Sequence, residues 1–271
     1  MRHRVTLVGS LVIAAAVVWT THGAAQVPAV PANPASPASP AGIPRTADGK
    51  PDFSGIWQTL SPADYDLEPH HARPDAPPGA GIVEGDVIPY QPWALEQRKK
   101  NFGNRATADP RTKCYALGTP RAIYYPEPFQ IFQRPRDVTL VFQFGHPFRT
   151  IHTNGTKHPR EGVGFWYGDS RGRWEGDTLV VDVSDFIGET WHDRAGNFTS
   201  DGLHVVERWT FIDANTIDYK ATLTDPKVYT RPWSLGVQLH RRREPNVQLL
   251  ENYCYTLDYE DYYPYPKAGV K

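Results

Sequence analysis

Alternation of apolar and polar residues is the dominant pattern of the chain from about residue 129 onward. It is cleanest from Thr216 to Thr224, where every second residue is apolar. Because successive side chains of a β-strand point to opposite faces, a period of two residues predicts strands with one buried and one solvated face. Similar runs cover residues 52–58, 129–133, 138–144, 148–153, 204–212, 229–241 and 248–256.

Short segments rich in Pro, Gly, Asp and Asn separate these runs, at residues 135–137, 145–147, 213–215 and 244–246. Such residues form turns, so neighbouring strands are expected to be antiparallel. About nine or ten sequential strands are most simply accommodated by an antiparallel meander that closes into a barrel of the lipocalin or calycin type, since closure removes exposed edges. The predicted class is therefore all-β, and a β-sandwich is the alternative.

One segment has helical character, WALEQRKKNF, which follows Pro92 and precedes Gly103. Proline is favoured in the first turn of a helix and glycine just beyond its end. We therefore predict one short helix, which could cap a mouth of the barrel.

The predicted centre of the fold is a two-stranded ribbon at residues 165–186 with its turn at residues 175–177. A three-residue turn places Trp174 opposite Thr178 and Ser170 opposite Asp182. Trp166, Trp174 and Asp182 then share a face with glycine and serine, which leaves room beside the carboxylate. The pattern predicts a small-molecule site there, and it is equally compatible with a tightly packed sheet corner.

The first 46 residues differ in composition from the rest. Residues 1–25 combine early arginines, an apolar run and small residues, which is typical of a signal peptide. Residues 26–46 are rich in proline and alanine and are predicted to be a disordered spacer. A single β-barrel domain is expected at residues 47–271. The apolar run is shorter than the ~20 residues needed to cross a bilayer, so we expect a periplasmic or secreted protein without a membrane anchor.

Charge and cysteine content narrow the possible partners. The formal net charge is −1 and neither sign clusters strongly, which disfavours nucleic acid as a partner. The two cysteines, Cys114 and Cys254, are an even number in an oxidising compartment. They are predicted to form a disulfide bond.

Several charged residues fall on predicted apolar faces: Arg149, Asp182, Glu207 and Arg231. A lone charge there would cost several kcal/mol, so these residues should pair with each other or with a ligand. Either they form a buried salt-bridge network that fixes strand register, or two carboxylates with separated pKa values act as acid and base. The sequence leaves both open.

Histidines offer fewer candidates than their number suggests. His192 and His204 flank the loop after the central ribbon, and Asp193 could orient His192. No HExxH motif or His/Cys framework is present in the sequence, so neither a metal nor another cofactor is predicted. Phosphate-loop and dinucleotide motifs are also missing from the sequence.

Six blocks of sequence resemble those of a known protein family, and they extend over nearly the whole chain after the spacer. The blocks are PDFSGIWQ, DPRTKCYALGTPR, PFQIFQ, GRWEGDTLVVD, LHVVERW and DPKVYTRPW. With them the chain resembles an uncharacterised family of secreted bacterial β-rich proteins. The resemblance implies a single extracytoplasmic β-domain and no particular reaction. It marks as matching positions Arg149, His158, Trp174, Asp182, Glu207 and Arg208. This chain has Asn154-Gly155-Thr156 where the family usually has an Asp-Gly-Arg turn.

Three functions follow as hypotheses. The first is an exported enzyme, a lyase, isomerase or hydrolase, that uses cofactor-free acid/base chemistry on a sugar-like or aromatic ring. The alternatives are a non-catalytic binding protein for small molecules and a structural partner in the cell envelope. The predicted catalytic residues are Asp182, Glu207, His192 and His204. The predicted substrate-binding residues are Arg149, His158, Trp166, Trp174, Arg208, Arg231 and Trp233.

Overall fold

A computed structural model describes residues 42–159, 162–252 and 254, which all belong to one compact unit. Nine strands close into a barrel in sequential order, which confirms the predicted fold class. The strands are β1 (Gly55–Thr59), β2 (Phe129–Arg134), β3 (Asp137–Phe142), β4 (Phe148–His152), β5 (Asp169–Glu175), β6 (Thr178–Ser184), β7 (His204–Asp213), β8 (Thr216–Thr224) and β9 (Trp233–Arg241). The helices are α1 (Pro92–Ala108), α2 (Arg121–Tyr124) and a 3-10 turn, Pro110–Lys113.

One junction departs from the predicted antiparallel meander. Strands β4 and β5 run parallel, with Ile151 beside Ser170 and His152 beside Arg171. A parallel pair needs a long crossover rather than a hairpin turn, and the segment between His152 and Asp169 supplies it. All the other neighbouring pairs are antiparallel, including β1 with β9, which closes the barrel.

The two ends of the barrel are built differently. At one end, called the turn end below, hairpin turns join β2 to β3, β5 to β6 and β7 to β8. At the opposite end, called the helix end, residues 143–147 join β3 to β4, and the long connections contain α1, α2 and the segment between β6 and β7. Many polar residues of these connections are buried.

The barrel interior is occupied by inward-pointing side chains. Fully buried large residues include Trp57, Trp209, Tyr219, Phe129, Ile131 and Leu140. At the turn end the ring of Phe53 stacks on Phe211, with centroids 4.8 Å apart. Side chains therefore fill the space that a wider barrel would leave for a ligand.

The disulfide prediction is confirmed. Cys114 and Cys254 are bonded, with their Cα atoms 5.5 Å apart. The bond ties the segment after α1 to the end of the chain that the structure describes. Among the described residues, no helix is long and apolar enough to cross a membrane.

Other boundaries differ from the sequence analysis. Helix α1 continues past Gly103 to Ala108, because a glycine inside a helix costs only about 1 kcal/mol relative to alanine. Residues 248–252 form only an isolated bridge, Phe144 with Asn252, instead of a strand. Ile43, at the end of the predicted spacer, joins the buried core. The predicted signal peptide and the spacer up to residue 41 lie outside the described residues.

Candidate functional site

The central ribbon has a register one residue away from the predicted one. Trp174 faces Leu179 and Ser170 faces Val183, because the turn contains only Gly176 and Asp177. Gly176 adopts a φ of +60°, a conformation suited to a two-residue hairpin. A shift of one residue moves every side chain of β6 to the opposite face. Asp182 therefore points to the outside of the barrel, and the predicted inward position was wrong.

Inside the barrel, Arg149 and Glu207 form a fully buried ion pair. The guanidinium donates two hydrogen bonds to the carboxylate, at 2.9 and 2.7 Å. Ser170 Oγ accepts from Arg149 Nε at 3.0 Å, and the Tyr219 hydroxyl donates to Glu207 Oε1 at 2.7 Å. We call these four residues the inner network. Its hydrogen bonds satisfy both charges. This is the buried salt-bridge network that the sequence left open as one of two alternatives.

The predicted acid/base pair is not brought together. Asp182 and Glu207 lie on neighbouring strands, but Glu207 faces the filled interior while Asp182 faces outward. Arg231, predicted to be buried beside Trp233, is exposed in the connection before β9, and its guanidinium donates to the carbonyl of Pro232. Asp182 and Arg231 therefore both lie outside the barrel interior. The site with two carboxylates that the sequence suggested does not form there.

On the outer wall, His158 is held between two carboxylates. Its Nδ1 lies 2.7 Å from Asp169 Oδ2, and its Nε2 lies 2.9 Å from Asp182 Oδ1. His204 reaches the other side of Asp182, with Nε2 at 3.1 Å from Oδ1 and 3.2 Å from Oδ2. Arg171 donates to both oxygens of Asp169, at 2.6 and 2.8 Å. With Asp185, which lies 3.9 Å from His158 Nδ1, these residues form what we call the outer cluster.

The outer cluster is open to solvent, unlike the inner network. The side chains of His204 and Asp182 are 43 % and 38 % exposed. His158, Asp169 and Asp185 present one nitrogen and two oxygens that all lie within 4.8 Å of one another. Imidazole nitrogen and carboxylate oxygen are common ligands of divalent cations. Among the described residues, this is the one group of three or more His, Cys, Asp or Glu side chains spaced to hold a metal ion.

At the helix end, His192 and Asp193 are fully buried. Burial, together with the charge of Arg121, lowers the pKa of His192 to about 3, so the ring is neutral and hydrogen-bonded to the Tyr229 hydroxyl at 3.0 Å. Burial raises the pKa of Asp193 to about 7, although Asn197 donates to its carboxylate. The prediction that Asp193 orients His192 is not met, because the two side chains have separate hydrogen-bond partners. Each side chain holds a different part of the helix end.

A cavity of about 350 Å³ opens at the turn end; we call it the mouth pocket. Its lining residues are Thr46, Ala47, Asp48, Lys50, Gln133, Arg134, Pro135, Val138, Thr153 and Trp174. Trp174 stacks in parallel on Phe53, with ring centroids 5.9 Å apart, and Phe53 closes the interior beneath it. Lys50 Nζ lies 5.8 Å from the centroid of the Trp174 ring. The pocket thus combines a flat aromatic wall with a cation.

The remaining predicted binding residues are dispersed. Trp166 packs against Tyr115, with ring centroids 5.1 Å apart. Arg208 donates to Glu175 on the outer wall at 3.0 Å. Trp233 is buried against Tyr229 in the core. Only Trp174, among these tryptophans, borders a described cavity of ligand size.

Sequence reasoning missed Lys50 in the mouth pocket and Asp169, Arg171 and Asp185 in the outer cluster. Asp169 and Arg171 alternate along β5, which places both on the same face. That signal was available, but their partner His158 comes from an irregular loop with no periodicity. Lys50 lies before the first strand, where the sequence shows no pattern that predicts contact with Trp174.

Comparisons with known proteins do not assign this chain to a family. No family model and no curated protein matches the chain. Among solved structures, the crystal structure of a mutant of the fluorescent protein UnaG is similar at 14 % sequence identity and a TM-score of 0.29. The match covers 71 % of this chain and 97 % of that one.

Proposed function

We propose that this chain is an extracytoplasmic binding protein for an anionic, ring-shaped small molecule, and that the mouth pocket is the ligand site. The observation that carries the proposal is the cavity of about 350 Å³ with Trp174 as one wall and Lys50 beside it. Its volume lies within the range of about 300–1,000 Å³ that is usual for small-molecule sites. The disulfide supports an oxidising compartment.

Trp174 supplies a rigid surface for a ring. Its indole is held by stacking on Phe53, and Phe53 is anchored by its backbone N–H, which donates to Gln133 Oε1 at 2.9 Å. A preorganised aromatic surface binds a flat ring without losing side-chain freedom on binding. This favours an aromatic or sugar-like ring, as the first sequence hypothesis assumed.

Lys50 supplies the preference for charge. Among the described residues, no carboxylate forms an ion pair with its ammonium group, whereas Arg134 at the other side of the pocket pairs with Asp137 at 2.7 Å. Asp48 accepts a hydrogen bond from Thr46. An anionic group on the ligand would therefore meet an unpaired cation beside the ring surface.

Binding without turnover fits this geometry better than acid/base catalysis. The mouth pocket contains one carboxylate, Asp48, and no histidine among its lining residues. The carboxylates that the sequence proposed as acid and base, Asp182 and Glu207, both lie elsewhere. The enzyme hypothesis would need a proton-transfer group beside the ring, and the pocket offers no pair of them.

The test is calorimetric titration with matched ring compounds, benzoate against benzamide and glucuronate against glucose. We expect one anion of the series to bind at least about tenfold more tightly than its neutral counterpart. Lys50→Gln should remove this preference for the anion. Trp174→Leu should weaken binding of both the anion and its neutral counterpart by up to about tenfold.

Trp93→Phe is the matched control, because Trp93 is an exposed tryptophan on α1, remote from the turn end. It should leave every affinity unchanged. Equal affinities for the charged and neutral compounds, or unchanged binding in Trp174→Leu, would overturn the proposal.

A further inference from the structure

We propose that the outer cluster binds one divalent transition-metal cation, through His158 Nδ1, Asp169 and Asp185. The three atoms lie within 4.8 Å of one another, and opposite ligands around a metal at about 2.0–2.2 Å are separated by at most about 4.4 Å. His158 Nδ1 lies 2.7 Å from Asp169 Oδ2 and 3.9 Å from Asp185 Oδ2. This site is separate from the mouth pocket.

The second nitrogen of the imidazole supports this assignment. His158 Nε2 lies 2.9 Å from Asp182 Oδ1, so the N–H at this position donates to a carboxylate. A metal-binding histidine commonly donates its other ring N–H to a carboxylate, which fixes the ring and strengthens the ligand nitrogen. His204, on the far side of Asp182, holds that carboxylate in turn.

The two proposed carboxylate ligands are also held from outside. Arg171 donates to Asp169, and Ser184 Oγ donates to Asp185 Oδ2 at 2.8 Å. Asp185 Oδ2 keeps a second lone pair for a cation, whereas at Asp169 Oδ2, which also accepts from Arg171 Nε, the cation would take the place of the contact with His158 Nδ1. The loop, β5 and the end of β6 therefore contribute one ligand each, and the ligands are oriented before a metal arrives.

The charge of the outer cluster favours a cation. Three carboxylates, Asp169, Asp182 and Asp185, face one guanidinium, Arg171, which leaves a formal charge of −2 before the histidines are counted. One imidazole with two carboxylates suits Zn²⁺ or Mn²⁺ better than Ca²⁺, which prefers oxygen ligands alone. A cation would replace the proton on His158 Nδ1 that now bonds to Asp169.

The test uses tag-free, chelator-treated protein titrated calorimetrically with ZnCl₂, MnCl₂ and CaCl₂. We expect one saturable site for Zn²⁺ or Mn²⁺ and at least about tenfold weaker binding of Ca²⁺. Asp185→Asn and His158→Gln should weaken metal binding at least about tenfold, and Asp182→Asn should weaken it about 10- to 100-fold by releasing the ring.

Asp201→Asn is the control, since Asp201 is an exposed carboxylate paired with Lys227. It should leave the affinity unchanged. If a ligand variant fails to fold, the site can be tested in the wild-type protein by the broadening that Mn²⁺ causes in the imidazole NMR signals. Selective broadening of the His158 and His204 signals supports the site. No saturable binding, broadening of other histidines instead, or equal binding by Asp185→Asn would overturn the proposal.

Discussion

The inner network and the outer cluster meet on strand β5, where Ser170 lies between Asp169 and Arg171, yet they treat charge in opposite ways. Arg149 and Glu207 are fully buried and hydrogen-bond to each other in a bidentate geometry. The outer cluster instead gathers three carboxylates around His158; Asp169 is buried, whereas Asp182 and Asp185 remain partly exposed. One arrangement is complete without a ligand, whereas the other has an excess of negative charge.

This difference separates charges that maintain the fold from charges that are available to a ligand. A buried, mutually satisfied ion pair fixes strand register, and breaking it exposes the remaining partner to a dry environment. A half-exposed cluster contributes little to stability because water screens its charges. Substitutions in the two regions should therefore produce opposite patterns of stability and binding.

The largest expected effect is that of Glu207→Gln. It leaves Arg149 buried without a counter-charge, so the free energy of unfolding should fall by about 3–5 kcal/mol. Urea denaturation followed by circular dichroism measures this loss.

Replacing both partners tests whether the charges themselves matter. In Arg149→Met combined with Glu207→Leu, no charge remains unpaired, and much of the lost stability should return. A double variant as unstable as Glu207→Gln would show that the effect comes from packing alone.

Loss of the disulfide should weaken the fold without affecting either region directly. Cys114→Ser with Cys254→Ser removes a link between residues 140 positions apart. We expect the free energy of unfolding to fall by about 2–5 kcal/mol. Metal and ring-compound affinities measured well below the melting temperature should stay unchanged. A loss of affinity at that temperature would place the disulfide within a binding region.

A second buried region, at the helix end, gives a prediction for pH dependence. The lowered pKa of His192 means that the unfolded chain takes up a proton that the folded chain refuses, so stability is lost as pH falls from about 6.5 toward 3. The raised pKa of Asp193 acts in the opposite direction, because the folded carboxyl holds a proton that the unfolded one releases; stability is lost as pH rises from about 4 to 7.

Asp193→Asn should therefore remove the contribution of Asp193 and leave that of His192. Relative to the wild type, its free energy of unfolding should climb by up to about 1.4 kcal/mol per pH unit between about pH 4 and 7. Urea denaturation at a series of pH values gives the difference curve. A flat difference curve would mean that Asp193 is ionised throughout this range.

The smallest expected effect is that of Asp182→Asn on stability. Its partners His158 and His204 remain partly exposed, so the free energy of unfolding should change by less than about 1 kcal/mol. The melting temperatures of this variant and of Glu207→Gln, measured under the same conditions, compare the two regions directly. Equal losses in both would remove the distinction between them.

The barrel itself could be predicted from the sequence because period-two alternation and turn residues act locally. The exterior position of Asp182 could not be predicted in this way. It depends on whether the turn before Thr178 has two residues or three. That choice reverses the face of every residue in β6. Glu207 was placed correctly because less buried and buried residues alternate along its strand from His204 to Phe211.

The candidate sites depend on contacts between distant parts of the chain. His158 meets Asp169 and Asp182 only because the parallel pairing of β4 and β5 folds its loop back over the ribbon. Lys50 reaches Trp174 across 124 residues of sequence. Neither contact leaves a periodic signal, so sequence reasoning identified Trp174 without Lys50, and His158 and Asp182 without Asp169.

The central claim is that the ligand binds at the mouth pocket and not inside the barrel, and the tryptophan indole N–H signals test it most directly. Each tryptophan of ¹⁵N-labelled protein gives its own signal, and the tightest ring carboxylate of the calorimetric series is added stepwise. We predict a saturable shift of the Trp174 signal, while those of the interior Trp57, Trp209 and Trp233 stay in place. Shifts of the interior signals with an unmoved Trp174 would place the ligand in the barrel and contradict the account.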